Sequence, residues 1–529
     1  MTMLVTHSGM QFIGGRRQAE GERCLHNRRA VDNLPIGYVF YQATRHEVDL
    51  AAQAAADAFT RYSQTSLEER AVFLDKIADE IDALGDDFIT LVSEETALPP
   101  ARLQGERSRT SGQMRLFATL LRRGDIHAAR IDTAQPERKP FPRVDIRQCH
   151  IPLGPIAVFG ASNFPLAFST AGGDTASALA AGCTVVFKAH SGHMATAEII
   201  AEAIERAIIA AQMPAGVFNM IYGNSVGADL VKHPIIQAVG FTGSLAGGRA
   251  LFDMAMQRPQ PIPVFAEMSS INPVIVLPNA LALRGKQIAQ ELVNSFTLGS
   301  GQFCTKPGII LGIRSPEFDQ FITQLTQEIT LRPAQSMLNR GTLLNYQIGI
   351  HQLDDEPLMT RLAIGEHHEN QASAMLYRAD IALLLSKNAL LQEEVFGPVA
   401  IMVEAESQYQ LLRAIDCLPG QLTATLIGED DELANAHEFS QRLQNIAGRV
   451  VVNGYPTGVE VCDAVVHGGP YPATSDARGT SVGTLAIWRF LRPVCFQNYP
   501  KSLLPPALQD HNPLNISRLI NGVMSREVL

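Results

Sequence analysis

Residues 155–189 read PIAVFGASNFPLAFSTAGGDTASALAAGCTVVFKA, with a short apolar run on either side of an Ala- and Gly-rich segment. Short runs of consecutive β-branched and apolar residues are typical of strands buried on both faces of a parallel sheet. A helix is predicted between the two runs, beginning at about Pro165, because proline is favoured in the first turn of a helix. This strand–helix–strand pattern predicts an α/β fold with a doubly wound parallel sheet.

Strand and helix patterns keep alternating downstream. Helix-like segments occur at 196–212 and 247–255, and strand-like segments occur at 216–223 and 238–244. A second alternating block runs from 272 to about 464. Repeated alternation of this kind is typical of sheets covered by helices on both faces, and the second block predicts another α/β domain.

Upstream, apolar residues recur every three or four positions over 45–98, which predicts two amphipathic helices. The helices are predicted to join at TSLEER, where Thr65 or Ser66 caps the second and a glutamate follows in its first turn. A further helix is predicted over 106–121. Residues 125–153 contain two alternating segments around a Pro-rich turn, and they predict a hairpin.

The composition limits the class of protein. A chain of 529 residues is long enough for two or three domains, and 46% hydrophobic with 18% charged residues indicates a folded globular protein. The net charge of −10, with scattered Lys and Arg, argues against nucleic acid or an anionic membrane as a partner. No stretch reaches the roughly 20 uninterrupted apolar residues of a membrane span.

The N-terminal region lacks the basic segment and apolar core of a secretory signal. Seven cysteines at wide spacings, with no CxxC pair, argue against a disulfide framework and against a metal site. We therefore expect a cytoplasmic protein without a resident metal.

Three residues carry chemistry that suits the oxidation of an aldehyde. Cys304, in FTLGSGQFCTKPG, follows two glycines that allow a sharp turn before an accessible thiol nucleophile. Glu267 ends an apolar strand, where apolar surroundings raise a carboxyl pKa and favour a general base. Asn163, in SNFP, offers an amide that donates to an oxyanion without titrating. Taken singly, each also has a structural explanation, as a core cysteine, a solvent-facing strand end and a loop residue.

A Gly-rich element, FTGSLAGG at 241–248, lies between a predicted strand and a predicted helix. Gly243 and Gly248 would let a pyrophosphate approach the helix N-terminus, where unpaired backbone N–H groups bind anions. Lys188 ends the strand CTVVFKA, where its ammonium reaches either ribose hydroxyls or solvent. The element differs from GxGxxG, and by itself it does not identify a dinucleotide site.

Six segments occur in the order in which the aldehyde dehydrogenase superfamily has its motifs, and the chain resembles that superfamily along nearly its whole length. The segments are SNFP, VVFKAH, GFTGSLAGG, the strand that ends at Glu267, GQFC and EEVFGPV. The resemblance implies these roles: Cys304 as nucleophile, Glu267 as water-activating base, Asn163 as oxyanion donor, Lys188 and Glu394 at the cofactor riboses, Phe396 at the nicotinamide, and Gly243, Ser244 and Gly248 beside the pyrophosphate.

The resemblance also implies the domain organisation. It predicts a Rossmann-type cofactor domain over 1–124 and 154–271, an α/β catalytic domain over 272–480, and a small β bridging or oligomerisation element over 125–153 with 481–529. A strand near 485–498 would join the hairpin in that element and mediate homodimers or homotetramers.

A more specific resemblance is to the 2-oxoglutarate semialdehyde (2,5-dioxopentanoate) dehydrogenases, carried by 160–183, 261–273 and 468–498. It implies NAD(P)-dependent oxidation of that semialdehyde to 2-oxoglutarate through a thiohemiacetal and a thioester. The same branch includes bacterial fatty-aldehyde dehydrogenases, so a fatty aldehyde is the alternative substrate. A CoA-acylating enzyme generally lacks the base that Glu267 supplies. A catalytically inactive binding protein on this scaffold is a further alternative, and the presence of all three chemical residues argues against it.

Two departures from related sequences bear on the site. Many relatives read ELGGKSP where this chain has EMSSINP at 267–273, so the turn after the base differs. Many NAD-dependent relatives carry a glutamate at the position of Ser191. A carboxylate there would repel a 2′-phosphate whereas a hydroxyl donates to it, so NADP is favoured over NAD.

Two further residues are candidates for the substrate side. His467, in VVHGGPYPATSD, is predicted to line the substrate mouth and to favour the thiolate, because a nearby imidazolium lowers a cysteine pKa. A substrate carboxylate requires an arginine or a lysine, and Arg478 is the candidate in the same region. A purely structural role is equally compatible with either residue.

Overall fold

Three β-sheets and one two-stranded ribbon organise residues 7–529, the part of the chain that the computed structural model describes. In chain order the strands are β1 (Gln11–Ile13), β2 (Arg16–Gln18), β3 (Cys24–Arg28), β4 (Pro35–Tyr41), β5 (Arg130–Asp132), β6 (Ile146–Pro152), β7 (Ile156–Phe159), β8 (Val185–Lys188), β9 (Phe218–Ile221), β10 (Ala238–Thr242), β11 (Val264–Glu267), β12 (Val274–Val276), β13 (Ile309–Ile313), β14 (Met359–Ile364), β15 (Met375–Ala379), β16 (Val399–Ala405), β17 (Gln421–Ile427), β18 (Ala447–Val452), β19 (Leu491–Gln497), β20 (Arg518–Ile520) and β21 (Val523–Ser525).

The α-helices cover the faces of these sheets. In chain order they are α1 (Arg45–Tyr62), α2 (Leu67–Asp82), α3 (Asp86–Thr96), α4 (Pro100–Arg123), α5 (Gly173–Ala181), α6 (Met194–Ala210), α7 (Val226–Lys232), α8 (Leu245–Met256), α9 (Pro278–Thr297), α10 (Pro316–Thr330), α11 (Arg340–Asp354), α12 (Ile381–Leu385), α13 (Gln408–Asp416), α14 (Asp430–Leu433) and α15 (His437–Ile446). Among the described residues, no helix has both the length and the hydropathy to cross a bilayer.

The first sheet has the strand order β11-β10-β7-β8-β9-β1-β2. Strands β7 to β11 run parallel, which confirms the predicted doubly wound sheet, whereas β1 and β2 extend one edge in antiparallel pairs. Because β7 pairs with β8 on one side and with β10 on the other, the strand order reverses at β7. The loops that leave the carboxyl ends of β7 and β10 therefore border the crevice in which such sheets bind ligands.

The second sheet confirms that the block from 272 to about 464 is a further α/β unit. Its order is β14-β15-β16-β13-β12-β17-β18, and only β14 is paired in the antiparallel sense. Helices α9 and α10 pack on one face, and α11, α13 and α15 pack on the other. Cys304 lies in the connection from α9 to β13.

The third sheet has the order β19-β6-β5-β20-β21. The predicted hairpin is the antiparallel pair of β5 and β6, and the strand predicted near 485–498 is β19, which pairs with β6. The strands of the three sheets fall within the segments predicted for the three domains. The domain boundaries themselves remain a prediction, and residues 1–6 of the predicted cofactor domain lie outside the described residues.

The N-terminal helices differ from the prediction in number. Three helices, α1 to α3, replace the two expected, because the chain turns after α2 and Gly85 becomes the N-cap of α3. The predicted cap of the second helix is confirmed: Ser66 Oγ accepts from the Glu69 N–H (3.1 Å), and the Glu69 carboxylate accepts from the Ser66 N–H (2.7 Å). Helix α4 begins at Pro100 rather than near residue 106.

The helix expected at about Pro165 begins instead at Gly173. The residues before it form turns, because the Glu106 carboxylate accepts from the N–H groups of Leu166 (2.9 Å) and Ala167 (3.0 Å). A side chain from α4 thus satisfies the backbone donors of an open loop. The segment after β7 therefore remains a loop and can present its side chains to the crevice.

Candidate active site

A cavity of about 1040 Å³ is lined by loops of the first sheet and by segments of the second. Its volume is at the upper end of the range for small-molecule sites, roughly 300–1,000 Å³, and suits a dinucleotide together with a small substrate. Eight predicted site residues line it: Asn163, Ser191, Gly243, Ser244, Glu267, Cys304, Glu394 and Phe396. The four that do not are Lys188, Gly248, His467 and Arg478.

Cys304 lies in a loop whose backbone reverses sharply. Gly299, Ser300 and Gly301 have φ angles of +55°, +58° and +64°, a left-handed conformation that favours glycine. A Cβ atom at Gly301 would lie 2.3 Å from the carbonyl oxygen of Gly397. The sharp turn predicted from the glycines is therefore present, and it lets the loop that contains Gly397 pack directly against the loop of the thiol.

Asn272 fixes the Cys304 loop to the second sheet. Its Nδ2 donates to the carbonyl oxygens of Cys304 (2.9 Å) and Lys306 (3.0 Å), and its Oδ1 accepts from the backbone N–H of Thr423 in β17 (3.2 Å). The φ of Asn272 is +55°, which asparagine tolerates better than most residues. Sequence reasoning missed this residue, although it lies in the segment 267–273 that departs from related sequences.

Cys304, His467 and Glu267 are in mutual contact. His467 Nε2 lies 3.3 Å from Cys304 Sγ and 2.9 Å from Glu267 Oε1. Ser481 Oγ donates to Glu267 Oε2 at 2.5 Å, and the Ser481 N–H donates to the His467 carbonyl oxygen at 2.8 Å. A thiol, an imidazole and a carboxylate in contact are able to exchange protons. Sequence reasoning singled out the first three residues but missed Ser481.

The same cluster could hold a metal ion. One sulfur, one nitrogen and one oxygen atom, from Cys304, His467 and Glu267, lie within 4.8 Å of one another. Such a donor set is compatible with a zinc-like ion. The residues also suffice for proton transfer without one.

The charge states of the cluster follow from burial and from its contacts. Burial and the negative charge of Glu267 raise the pKa of the Cys304 thiol well above its ordinary value. Burial also raises the pKa of Glu267, but the contact with His467 and the hydrogen bond from Ser481 outweigh it and lower this pKa below its ordinary value. The direction predicted for the Glu267 pKa is therefore wrong. Near neutral pH, Cys304 is a thiol and Glu267 is a carboxylate.

Asn163 lies beside the thiol loop and is almost fully buried. Its Nδ2 donates to the carbonyl oxygen of Gln302 at 3.0 Å. Arg102 Nη2 donates to the carbonyl oxygen of Asn163 at 2.7 Å and holds the loop in place. An amide nitrogen carries two N–H bonds, so one remains to donate to an oxygen atom in the cavity.

The N-terminus of α8 faces the cavity and suits a phosphate group. Ser244 is the N-cap, and its Oγ accepts from the Gly247 N–H at 3.2 Å. A Cβ atom at Gly243 would lie 2.7 Å from Phe241 Cζ, so this approach to the helix requires glycine. The first N–H groups of a helix lack partners within the helix and bind anions.

Glu394 and Phe396 border the same cavity from the loop after α12. Glu394 Oε1 is buried and has no hydrogen-bond partner within residues 7–529. Burial raises the pKa of Glu394 to about 7, and the charge of Lys306 opposes the shift. An orphaned carboxyl oxygen of this kind suits a hydroxyl donor such as a ribose, so the residues present fit a dinucleotide.

Three predicted residues lie away from the cavity. Lys188 ends β8, and burial lowers its pKa to about 8. At Gly248, a Cβ atom would lie 2.6 Å from Met268 Cγ, so glycine there lets α8 pack against β11. The Arg478 side chain is 89% exposed and pairs with Asp476 at 2.8 Å. The structure does not bring Arg478 to the nucleophile.

The sequence model of the aldehyde dehydrogenase family matches residues 18–470. An alpha-ketoglutaric semialdehyde dehydrogenase of Acinetobacter baylyi is 58% identical over 522 residues, which cover 98% of this chain and 99% of the relative. An alpha-ketoglutaric semialdehyde dehydrogenase 2 of Azospirillum brasilense is 52% identical over 488 residues, which cover 92% of this chain and 93% of the relative.

The fold has a solved counterpart. A betaine aldehyde dehydrogenase of Staphylococcus aureus in complex with NAD⁺ superposes with a TM-score of 0.80 at 19% sequence identity. The superposition covers 93% of this chain and 94% of that chain. At this identity the likeness concerns the fold.

Proposed function

The chain belongs to the aldehyde dehydrogenase family, and from that premise we propose that it oxidises 2-oxoglutarate semialdehyde (2,5-dioxopentanoate) to 2-oxoglutarate, with Cys304 as the nucleophile. The observation that carries the proposal is the contact of Cys304, His467 and Glu267 in a chain 58% identical to an alpha-ketoglutaric semialdehyde dehydrogenase. The family uses NAD or NADP, which supplies a hydride acceptor when it is bound.

The first step creates the thiolate. Because the resting Cys304 is a thiol, it needs a base in contact, and His467 Nε2 lies 3.3 Å from its sulfur. The imidazolium that forms stays paired with the Glu267 carboxylate at 2.9 Å. The thiolate then attacks the aldehyde carbon, and the carbonyl oxygen becomes an oxyanion.

The oxyanion is stabilised by two donors. The second N–H of the Asn163 amide is one, and the backbone N–H of Cys304 is the other. Hydrogen bonds with Arg102 and Gln302 hold Asn163 in place before the substrate arrives. Donors that are fixed in advance cost no reorganisation when the charge develops.

Glu267 completes the reaction after the adduct has lost its hydride. The resulting thioester carbon is attacked by a water molecule, and the Glu267 carboxylate takes the proton of that water. The bond to sulfur breaks, and the acid leaves while Cys304 regains its proton. Ser481 holds the other oxygen of this carboxylate, Oε2, in place at 2.5 Å.

Steady-state cofactor reduction with 2,5-dioxopentanoate, set beside a long-chain aldehyde such as dodecanal, tests the substrate. We expect a much higher kcat/KM for the dioxo acid. A higher kcat/KM for the fatty aldehyde would leave the thioester chemistry intact and would make a fatty-aldehyde dehydrogenase the correct assignment. The same assay, run with NADP and with NAD, tests the cofactor.

NADP is the cofactor that we favour. Ser191 is exposed on the cavity wall, where a carboxylate would repel a 2′-phosphate and a hydroxyl donates to it.

We also infer a homodimer or homotetramer that forms through the third sheet, because β19 and β21 leave the two edges of that sheet unpaired within residues 7–529.

His467→Gln tests the base that creates the thiolate. Glutamine keeps a polar side chain but cannot accept the proton of the thiol, so no imidazolium forms beside the sulfur and the pKa of Cys304 is expected to rise. The fraction of thiolate near neutral pH then falls. A shift of one pKa unit lowers the rate of Cys304 alkylation by iodoacetamide about tenfold.

The pH profile of that alkylation is the measurement, and it should move to higher pH in the variant. Cofactor binding should be unchanged, since His467 is not part of the cavity lining. An unshifted alkylation profile would exclude His467 as the group that activates the thiol.

A further inference from the structure

Arg109 is a partly buried cation without an ion-pair partner within residues 7–529. It lies on α4, and its guanidinium carbon is 5.8 Å from the ring centre of Phe164 and 5.4 Å from that of Phe168. Its Nε and Nη2 atoms are buried and have no hydrogen-bond partner within residues 7–529. Cation–π contacts offset only part of the cost of removing a guanidinium from water.

The acidic groups near Arg109 are committed elsewhere or exposed. Glu106, one turn earlier on α4, accepts from two backbone N–H groups of the loop after β7 and lies 4.0 Å from Arg102. Glu460 is exposed to solvent. Glu267 is in contact with His467 and Ser481. Arg109 therefore holds a positive charge that no described carboxylate neutralises by contact.

The other buried cations around the thiol loop already donate to backbone oxygens. They are Arg102, which donates to Asn163, Arg449, which donates to Pro456 and Gly458, and Lys306, which donates to Val395 and Val399. Arg102 Nη1 and Arg449 Nε also lack a partner, but each of these side chains makes at least one other hydrogen bond, whereas Arg109 makes none within residues 7–529. Unsatisfied buried donors in a native protein require an explanation, and beside an active site a ligand that supplies the acceptors is one.

Arg109 is also close to the reacting atoms. The Phe164 and Phe168 rings that it contacts both line the active-site cavity. The ring centre of Phe168 is 6.0 Å from that of His467, whose Nε2 touches the Cys304 sulfur. The charge of Arg109 acts on Cys304 and favours its thiolate. The guanidinium itself is not part of the cavity lining, but it packs against the two rings that form the cavity wall beside His467 and Cys304.

We propose that Arg109 binds the carboxylate of the substrate. The inference rests on the proposed function, because 2,5-dioxopentanoate carries a carboxylate four carbon–carbon bonds from its aldehyde carbon, about 5 Å when extended. A guanidinium forms two parallel hydrogen bonds with a carboxylate. Arg109 takes the role that the sequence suggested for Arg478.

Arg109→Met tests the proposal against Arg115→Met, a control on the same helix whose arginine is exposed and paired with Asp79 and Asp82. The two substrates are 2,5-dioxopentanoate and pentanal, which has the same chain length and no carboxylate. In Arg109→Met we expect kcat/KM for the dioxo acid to fall about 10- to 100-fold, because the loss of a charge-assisted hydrogen bond lowers binding by about this factor. For pentanal we expect a change below about threefold.

Arg109→Lys adds a second comparison. Lysine keeps the charge but loses the two-pronged geometry, so kcat/KM for the dioxo acid should lie between wild type and Arg109→Met. The loss should appear in KM more than in kcat, because the carboxylate is bound equally in the ground state and in the transition state. Arg115→Met should match wild type with both substrates.

A binding measurement keeps the test independent of turnover. Glutarate, a dicarboxylate without an aldehyde, should slow the alkylation of Cys304 by iodoacetamide in wild type and in Arg115→Met. It should give no protection in Arg109→Met. This readout also separates the two proposals: protection that depends on Arg109 would stand even if a fatty aldehyde proved to be the better substrate of the wild type.

Two outcomes would overturn the role of Arg109. An equal loss with pentanal and with the dioxo acid in Arg109→Met would show that the residue only supports the fold. Unchanged kinetics with the dioxo acid, together with full protection by glutarate, would show that the carboxylate binds elsewhere.

Discussion

Cys304→Ala is expected to abolish turnover, with kcat lowered at least about 10⁴-fold. The aldehyde carbon must become tetrahedral and bonded to a nucleophile before it can expel hydride, and alanine offers no atom for that bond. His467 and Glu267 remain in the variant but have no thiol to act on. Cofactor reduction in the steady state is the measurement.

Cofactor binding separates chemistry from folding in this variant. The thiol is not part of the phosphate site at the N-terminus of α8, where Gly243 and Ser244 lie, so the variant should bind the cofactor as tightly as wild type in equilibrium dialysis. Cys24→Ala is the matched control, because Cys24 is exposed and does not itself line the cavity, and it should keep full activity. Turnover in Cys304→Ala within about tenfold of wild type would mean that another group is the nucleophile.

Glu267→Gln is expected to separate the two halves of the reaction. Formation of the thioester should continue, since glutamine leaves His467 beside the thiol. Hydrolysis should slow by about 10²- to 10⁴-fold, because the amide cannot take a proton from water. Rapid mixing with the dioxo acid should therefore show a burst of reduced cofactor of about one equivalent per active site, followed by a slow steady state.

The acyl-enzyme gives a direct readout for this variant. Intact-protein mass spectrometry after the burst should show the acyl group attached to the chain. Ser481→Ala is the graded comparison, because it removes the 2.5 Å hydrogen bond to Glu267 but keeps the carboxylate, and it should slow hydrolysis by only about tenfold. A steady-state rate in Glu267→Gln equal to that of wild type would reject the assigned base.

Local sequence patterns were sufficient for most of the secondary structure. Apolar runs predicted the parallel strands β7 to β11, and the Ser66–Glu69 capping box was read from residues three positions apart. The prediction of secondary structure failed where a side chain distant along the chain determines the local conformation. The loop after β7 is not helical because Glu106, some 60 residues away, accepts from its N–H groups.

In the candidate site too, local patterns predicted some residues, and contacts between distant parts of the chain revealed the others. Cys304, Glu267 and Asn163 were singled out by residue type and by their positions, in a loop for Cys304 and Asn163 and at a strand end for Glu267. Ser481 could not be found in this way, since it lies 214 residues from Glu267 along the chain. Asn272 and Arg109 were missed for the same reason: an asparagine in a turn and an arginine on a helix are ordinary until their partners, or the lack of partners, are known.

The sequence by itself determined the α/β class, the family and the kind of chemistry, because periodic burial and a few reactive side chains at loop positions are local properties. Only the tertiary structure decided which groups meet. The contact of His467 with Cys304 joins residues 163 positions apart, and the contact of the same histidine with Glu267 reverses the predicted direction of the Glu267 pKa. Charge and desolvation act through space over a few ångströms, so the sum of burial, ion pairs and hydrogen bonds at a carboxyl depends on the folded neighbours of that group.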